Sequence, residues 1–217
     1  MPITHTLNGK TRWLAVLIAL AGWSGLLLQW YLLQRAAQTD GRGIGQLLVA
    51  YFGYFTILTN LLVCAAVSWP LAAPTSAPGR FFLRPAAIGW VTASIVFVGL
   101  AYHLLLRRIW QPQGLHWVAN TLLHYVTPGL FVIYSLAMLR GIALRWTAPL
   151  WWSGYLVAYF VYALVRGALI GSYPYGFIDV AALGYAVTIR NGCFLLLAFL
   201  LLGYVLIGAW RLGSRRS

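Results

Sequence analysis

The chain has 217 residues, of which 62% are hydrophobic and only 8% are charged, with a mean hydropathy of +0.81. A soluble domain carries about 25% charged residues, so this composition excludes a water-soluble fold. Only two acids, Asp40 and Asp179, accompany 15 Lys and Arg residues. This scarcity excludes paired-carboxylate glycosidases, EF-hands and Mg²⁺-dependent phosphoryl transfer. Two cysteines are too few for a zinc or iron–sulfur site held by four cysteine ligands.

The net charge of +13 is spread thinly between long apolar runs instead of being massed on one segment. In a membrane chain this distribution is typical of topology signals and contacts with lipid headgroups. We therefore interpret the chain as an integral membrane protein. We expect membrane lipids or a lipid-like substrate as partners, no nucleic acid, no cofactor and no metal site.

Six apolar runs of about 20 residues, the length that crosses a bilayer core of about 30 Å, follow one another along the chain. They lie at about 13–33, 46–67, 85–106, 117–139, 149–170 and 188–209. Backbone groups in lipid must bond to one another, so each run is predicted to be a helix. The first run is too long for the apolar part of a signal peptide, and we interpret it as a span. The sequence thus predicts an all-α fold, with residues 1–217 forming one polytopic bundle of six transmembrane helices.

The basic residues favour an orientation with both termini in the cytoplasm, because Lys and Arg are more frequent in cytoplasmic loops. Nine of them then lie inside and six outside. The inner ones are Lys10, Arg12, Arg80, Arg84, Arg140, Arg145, Arg211, Arg215 and Arg216. The outer ones are Arg35, Arg42, Arg107, Arg108, Arg166 and Arg190.

Polar residues interrupt two of the spans, in the run FTILTN of span two and the run NTLLHYVTP of span four. They are Thr56, Thr59 and Asn60 in span two, and Asn120, Thr121, His124 and Thr127 in span four. Spacings of three and four place each set on one helical face. Because polar groups are costly in the bilayer, we expect the two stripes to face each other around a polar pocket.

A third polar cluster lies at the end of span five and in the loop after it, at the same end of the predicted bundle. It contains Arg166, Tyr175 and Asp179. We expect Asp179 to pair with Arg166 or Arg190, which would lower the cost of each charge.

Each of these residues also has a purely structural interpretation. A membrane Thr such as Thr59 often bonds to its own i−4 carbonyl, and Asn60 and Asn120 would join helices. Arg166 would extend to the headgroups, and a buried His124 would be a packing residue.

The segments FTILTN, NTLLHYVTP and YPYGFID together resemble a family of uncharacterised bacterial six-span membrane proteins, over essentially all six spans. In these three stretches alone, the chain more distantly resembles the eukaryotic androgen-induced membrane hydrolases. Those enzymes cleave fatty acid esters of hydroxy fatty acids. The resemblance implies a location in the bacterial inner membrane and a lipid ester hydrolase activity.

The hydrolase family has a Thr nucleophile in its second span and a His base in its fourth. The family Thr follows two apolar or aromatic residues, which best matches Thr56, and Thr59 is the alternative. The family His lies four residues after an Asn and a few before a Pro, which matches Asn120, His124 and Pro128.

The family segment Tyr-Pro-Phe-Leu-Glu resembles residues 175–179, with Gly176 in place of its Pro and Asp179 in place of its Glu. Of the two acids in the chain, only Asp179 is placed to orient the predicted base. An uncharged group such as Asn60 or Asn120, or no group at all, is the alternative. Arg166 is a candidate to bind a fatty acid carboxylate.

The leading hypothesis is therefore a membrane-embedded lipid ester hydrolase in which Thr56 is the nucleophile and His124 its base. The supporting or substrate-binding candidates are Asn60, Asn120, Arg166, Tyr175 and Asp179. A transporter or channel component, with the polar stripes along its path, is the first alternative. A haem protein with His103 and His124 as axial ligands is the second.

Overall fold

The computed structural model describes residues 7–214, which form helices and connecting segments with no strand in that range. The predicted all-α fold is confirmed. The helices are α1 (Gly9–Thr39), α2 (Ile44–Phe52), α3 (Phe55–Ala72), α4 (Ala77–Phe82), α5 (Pro85–Ala101), α6 (Gly114–Thr121), α7 (Thr127–Met138), α8 (Ala148–Ile170) and α9 (Val180–Ser214). Five-residue π-helical turns at Tyr102–Leu106 and Leu122–Val126 extend α5 and join α6 to α7, and a short 3₁₀ turn spans Gly176–Ile178.

Six of the resulting helical segments are long and apolar enough to cross a membrane, so the chain is an integral membrane protein by length and composition. The third, Pro85–Leu106, has the limits predicted from the sequence, and the fifth, Ala148–Ile170, differs by one residue. The orientation in the membrane stays a prediction, and two of the basic residues behind it, Arg215 and Arg216, lie outside the described residues.

Span two differs from the prediction of one continuous helix over 46–67. Helix α2 ends at Phe52, Tyr54 is extended (φ −92°, ψ 130°), and α3 begins at Phe55. Gly53 is buried under the guanidinium of Arg166, because a Cβ added at Gly53 would lie 2.8 Å from Cζ of that side chain. The apolar run hides this break, since hydropathy does not distinguish a helix from an extended residue at the same depth.

Three side chains of α8 stabilise the break by donating hydrogen bonds to main-chain carbonyls around it. The bonds join Tyr159 Oη to Gly53 O (2.9 Å), Tyr162 Oη to Phe52 O (3.3 Å) and Arg166 Nε to Val49 O (3.1 Å). Carbonyls at the end of a helix have no partner within the helix, and leaving them unpaired in an apolar medium is costly. Helix α8 therefore supplies the hydrogen-bond donors that these carbonyls would have had in a continuous helix.

Helix α9 bends at Gly184, which adopts φ 72° and ψ 162° within the helical run. Glycine takes this positive φ without the steric penalty of a Cβ. The predicted sixth span, 188–209, lies entirely after the bend, so the helix is longer than its most apolar part.

The helices alternate in direction, so α3, α6 and α9 begin, and α1, α5 and α8 end, at one end of the bundle. We call this the site end. Helix α5 approaches the π turn of span four closely, because a Cβ added at Gly99 would lie 2.9 Å from the carbonyl oxygen of His124. Because Gly99 has no side chain, the polar part of span four can pack closely against α5.

Candidate active site

Thr56 is the second residue of α3, which follows directly from the break in span two. The first N–H groups of a helix have no acceptor within the helix, and they form its positive end. The break thus places the hydroxyl and the N–H of Thr56 together at the start of a helix, where that N–H has no acceptor within the helix; a continuous span would have bonded it to a carbonyl of the preceding turn.

His124 lies in the middle of the π turn Leu122–Val126. Pro128, four residues further on, has no N–H, so it cannot bond to the carbonyl of His124 as a regular helix requires. Tyr102, the first residue of the other π turn, stacks on the imidazole, with ring centroids 4.1 Å apart and planes 26° apart. Two irregular turns of neighbouring spans therefore meet at this ring, and such turns are frequent at functional sites.

The Oγ1 atom of Thr56 lies 3.3 Å from Nε2 of His124. The other ring nitrogen, Nδ1, lies 3.1 Å from the main-chain carbonyl oxygen of Asn120. A carbonyl only accepts hydrogen bonds, so these partners assign the proton of the neutral ring to Nδ1. Nε2 then presents a lone pair to the hydroxyl of Thr56, as a general base requires.

Asn60 is fully buried and ties α3 to the turn that carries His124. Its Nδ2 donates to the carbonyls of Thr56 (2.8 Å) and Leu123 (3.2 Å). The side chain of Asn60 therefore fixes the position of the hydroxyl relative to the imidazole.

Asn120 acts on the imidazole in two ways, through its carbonyl and through its side chain. Its carbonyl accepts from Nδ1, and its Nδ2 donates to the hydroxyl of Tyr102 at 2.8 Å. An uncharged group thus orients His124, one of the alternatives that the sequence left open. The group of Asn120 that contacts the imidazole is its main-chain carbonyl, whereas its side chain bonds to Tyr102.

Thr59, the alternative nucleophile, faces away from the imidazole. Its Oγ1 lies 3.2 Å from the hydroxyl of Tyr155 on α8, and the residue is fully buried. Of the two threonines, Thr56 is the one that contacts His124.

Tyr175 lies in the segment 171–179 that closes the site end. The N–H of Thr56 donates to its hydroxyl over a long distance of 3.5 Å, and its ring stacks on Phe177. Burial raises the pKa of Tyr175, because desolvation disfavours the phenolate. Its hydroxyl therefore remains protonated at neutral pH.

The guanidinium of Arg166 donates hydrogen bonds to two main-chain carbonyls. Nε donates to the carbonyl of Val49 and Nη1 to that of Ser172, at 3.1 and 2.9 Å. The charge thus joins α8, the end of α2 and the segment 171–179, which is a supporting position.

Asp179 does not form the expected ion pair. Its Oδ1 accepts from the N–H groups of Ala181 (2.9 Å) and Ala182 (3.2 Å), which lie at the start of α9 and have no acceptor within that helix. Among residues 7–214 the salt bridge is the exposed pair Arg42–Asp40, and Asp179 bonds to neither Arg166 nor Arg190. A side chain that caps its own helix finds its partners locally, which explains the difference.

An apolar pocket of about 200 Å³ lies beside the Thr56–His124 pair. It is enclosed by the start of α3, by α5, α8 and α9, and by the segment 175–178. Its lining residues are almost all aliphatic or aromatic. Those that carry a polar group are Thr56, Tyr102, Tyr159, Tyr175 and Cys193. Such a space suits a hydrocarbon chain whose polar end meets the hydroxyl of Thr56.

His103, the other ligand of the haem hypothesis, lies on an exposed face of the bundle. Its Nδ1 is 3.3 Å from the hydroxyl of Tyr125, and its Nε2 is 3.1 Å from Nη1 of Arg107. The imidazoles of His103 and His124 therefore have separate partners, and the geometry does not favour a shared axial site.

Comparison of the chain with protein-family models, with curated proteins and with solved structures gives no match. Support for a function therefore comes from the geometry of the site.

Several residues that shape this site were not singled out in the sequence. Tyr102 stacks on the ring of His124, and three tyrosines of α8 bond to α3 or to the break before it. The α8 tyrosines have a visible signal, since Tyr155, Tyr159, Tyr162 and Arg166 follow one another at spacings of four, three and four on one helical face.

Proposed function

We propose that the protein is a membrane-embedded hydrolase of long-chain esters, with Thr56 as nucleophile and His124 as general base. The observation that carries the proposal is the 3.3 Å contact between His124 Nε2 and Oγ1 of Thr56, a residue that lines an apolar pocket. The resemblance of the segments FTILTN, NTLLHYVTP and YPYGFID to the androgen-induced hydrolases agrees with the same pair.

In the first step Oγ1 of Thr56 attacks the ester carbonyl carbon, and its proton passes to Nε2 of His124. The imidazolium keeps its Nδ1 proton on the carbonyl of Asn120. The C–O bond of the ester then breaks, and the departing alkoxide takes the proton from Nε2. An acyl-threonine and a free alcohol result.

The carbonyl oxygen becomes negative in the tetrahedral intermediate and needs donors that are already in place. The N–H of Thr56 suits this role, because it belongs to the positive end of α3. Its hydrogen bond to the hydroxyl of Tyr175 is long, at 3.5 Å, so a negative oxygen would compete well for it. The protonated hydroxyl of Tyr175 adjoins the same position and is a second donor.

In the second step water replaces the alcohol. His124 Nε2 removes a proton from the water as it attacks the acyl carbon, and Thr56 Oγ1 leaves with that proton returned. The products are the free fatty acid and the original hydroxyl. This chemistry needs no acidic third residue, which suits a chain with only two acids.

The test is ester hydrolysis by the purified full chain in detergent or nanodiscs, with matched isosteric variants. Thr56→Val removes the nucleophile and should abolish hydrolysis of a long-chain p-nitrophenyl ester. Thr59→Val removes the neighbouring hydroxyl one turn away, which contacts Tyr155 and not the base, and should retain it. His124→Gln should lower kcat by about 10²–10⁴, the usual contribution of a general base.

Equal activity of Thr56→Val and the unmodified chain would contradict the proposal. If Thr59→Val lost activity and Thr56→Val kept it, Thr59 would be the nucleophile. Thermal unfolding of each variant establishes that the fold is retained in the comparison.

A further inference from the structure

The pocket runs along the helices and not across them. Its lining extends from Phe97 on α5 to Leu106 at the end of the π turn that follows, and on α9 from Leu196 to Ile189. Nine residues of helix correspond to about 14 Å. The long axis of the pocket is therefore close to the direction of the chains in a surrounding bilayer.

The polar groups of the pocket are concentrated towards its site end. Thr56, Tyr102 and Tyr175 lie there, whereas Phe97, Leu156 and other apolar residues line the part near the middle of the bundle. A ligand with one polar carbonyl and an apolar tail thus fits in one direction only, with the tail towards the middle.

The boundaries of the pocket identify where it opens. The rings of Phe97 and Phe199 meet at 5.4 Å between α5 and α9 and close its deep end. Phe160 of α8 packs against Gly192 of α9, where an added Cβ would lie 2.6 Å from the ring. Towards the site end the pocket itself separates α5 from α9.

Two residues of α9 both line the pocket and face outward. Ile189 is 50% exposed and Cys193 is exposed, on a helix whose most apolar stretch is only 17% buried. A membrane-spanning helix with so little buried surface borders lipid, so the opening beside these residues leads to the bilayer.

We propose that the pocket holds one acyl chain of a membrane lipid, oriented like the chains of the bilayer. The chain enters sideways between α5 and α9, past Ile189 and Cys193. The inference rests on the proposed function, because the Thr56–His124 pair defines where the acyl carbonyl lies. It adds the source of the substrate, which is the leaflet at the site end and not the water phase.

The test is photo-crosslinking in nanodiscs with two long-chain fatty acids that carry a diazirine either next to the carboxylate or at the far end of the chain. The far diazirine should modify peptides that contain Phe97 or Leu196. The near diazirine should modify peptides that contain Tyr102 or Tyr175. An unlabelled long-chain ester should compete with both.

Matched variants separate the pocket from the general lipid surface. Ala101→Phe fills the pocket and should abolish crosslinking inside it. Ile189→Trp should slow crosslinking by obstructing the opening. Leu197→Trp should have no effect, since Leu197 is equally exposed (54%) on α9 but does not line the pocket.

Crosslinks spread over the exposed faces, with the same yield in Ala101→Phe, would overturn the inference, as would equal effects of Ile189→Trp and Leu197→Trp. Thr56→Val distinguishes it from the proposed function, because this variant should lose hydrolysis and keep crosslinking. If the unmodified chain crosslinks as expected but hydrolyses no ester, the lipid site is supported and the proposed hydrolase activity is contradicted.

Discussion

A main-chain carbonyl, and not a carboxylate, orients His124, the proposed base. The carbonyl of Asn120 holds the proton on Nδ1 of His124, and the ring of Tyr102 covers its face. In serine proteases an aspartate has this role and also stabilises the imidazolium. Here the uncharged carbonyl of Asn120 orients the ring but brings no full negative charge beside it.

Asn120→Ala keeps the carbonyl and removes only the bond from Nδ2 to Tyr102. We expect its kcat to fall by no more than about fivefold, the factor that corresponds to a hydrogen bond of about 1 kcal/mol. The kcat of His124→Gln should fall much further, because the amide of glutamine is far too weak a base to take the proton. Steady-state kinetics on the long-chain ester measures both, and equal losses would show that the side chain of Asn120 is essential.

At the scale of helices, the break between α2 and α3 creates the site. It brings Thr56 to a helix start, and the face of α8 with Tyr159, Tyr162 and Arg166 satisfies the carbonyls left by the break. The Arg166 guanidinium occupies the space over Gly53 that a larger residue would fill.

A double-variant cycle on Gly53 and Arg166 tests the role of this break. Gly53→Ala displaces the guanidinium, and Arg166→Met removes its bonds to Val49 and Ser172, each worth about 1.5–3 kcal/mol for a charged donor. Each variant should lower the melting temperature in detergent, and the double variant should fall by less than the sum.

Gly45→Ala is the matched control, since Gly45 lies in the same short helix α2 and an added Cβ meets nothing within 4 Å. It should leave the melting temperature unchanged or slightly raised, because alanine favours a helix over glycine. Additive losses in the cycle would show that Gly53 and Arg166 act independently.

The sequence predicted the helices well where hydropathy ends at a polar residue or a proline, as at Pro85. It did not predict the break at Gly53, since aromatic residues on both sides keep the run apolar. The contact of Thr56 with His124 was expected from residue spacing and from the resemblance. The capping role of Asp179 was not, because capping depends on where α9 begins, and α9 begins at Val180, eight residues before the predicted span.

At the scale of the whole molecule, the low charge and the pocket belong together. Only 8% of the residues are charged, and five parts of the chain, namely α3, α5, α8, α9 and the segment 175–178, together line an apolar space beside the hydroxyl of Thr56. The sequence predicted a polar pocket between the two stripes, whereas the pocket beside Thr56 is apolar, because most of its lining comes from α5, α8 and α9 and not from the stripes. The central expectation is that Thr56 acts as an activated nucleophile at the wall of this space.

The most direct measurement is labelling of the full chain by a fluorophosphonate with a long alkyl chain, which reacts with activated hydroxyls, followed by mass spectrometry of the modified peptide. We expect the adduct on Thr56, its loss in Thr56→Val, and strongly slowed labelling in His124→Gln. Labelling that persists in Thr56→Val, or no labelling of a folded chain that binds the long-chain fatty acid, would contradict the assignment.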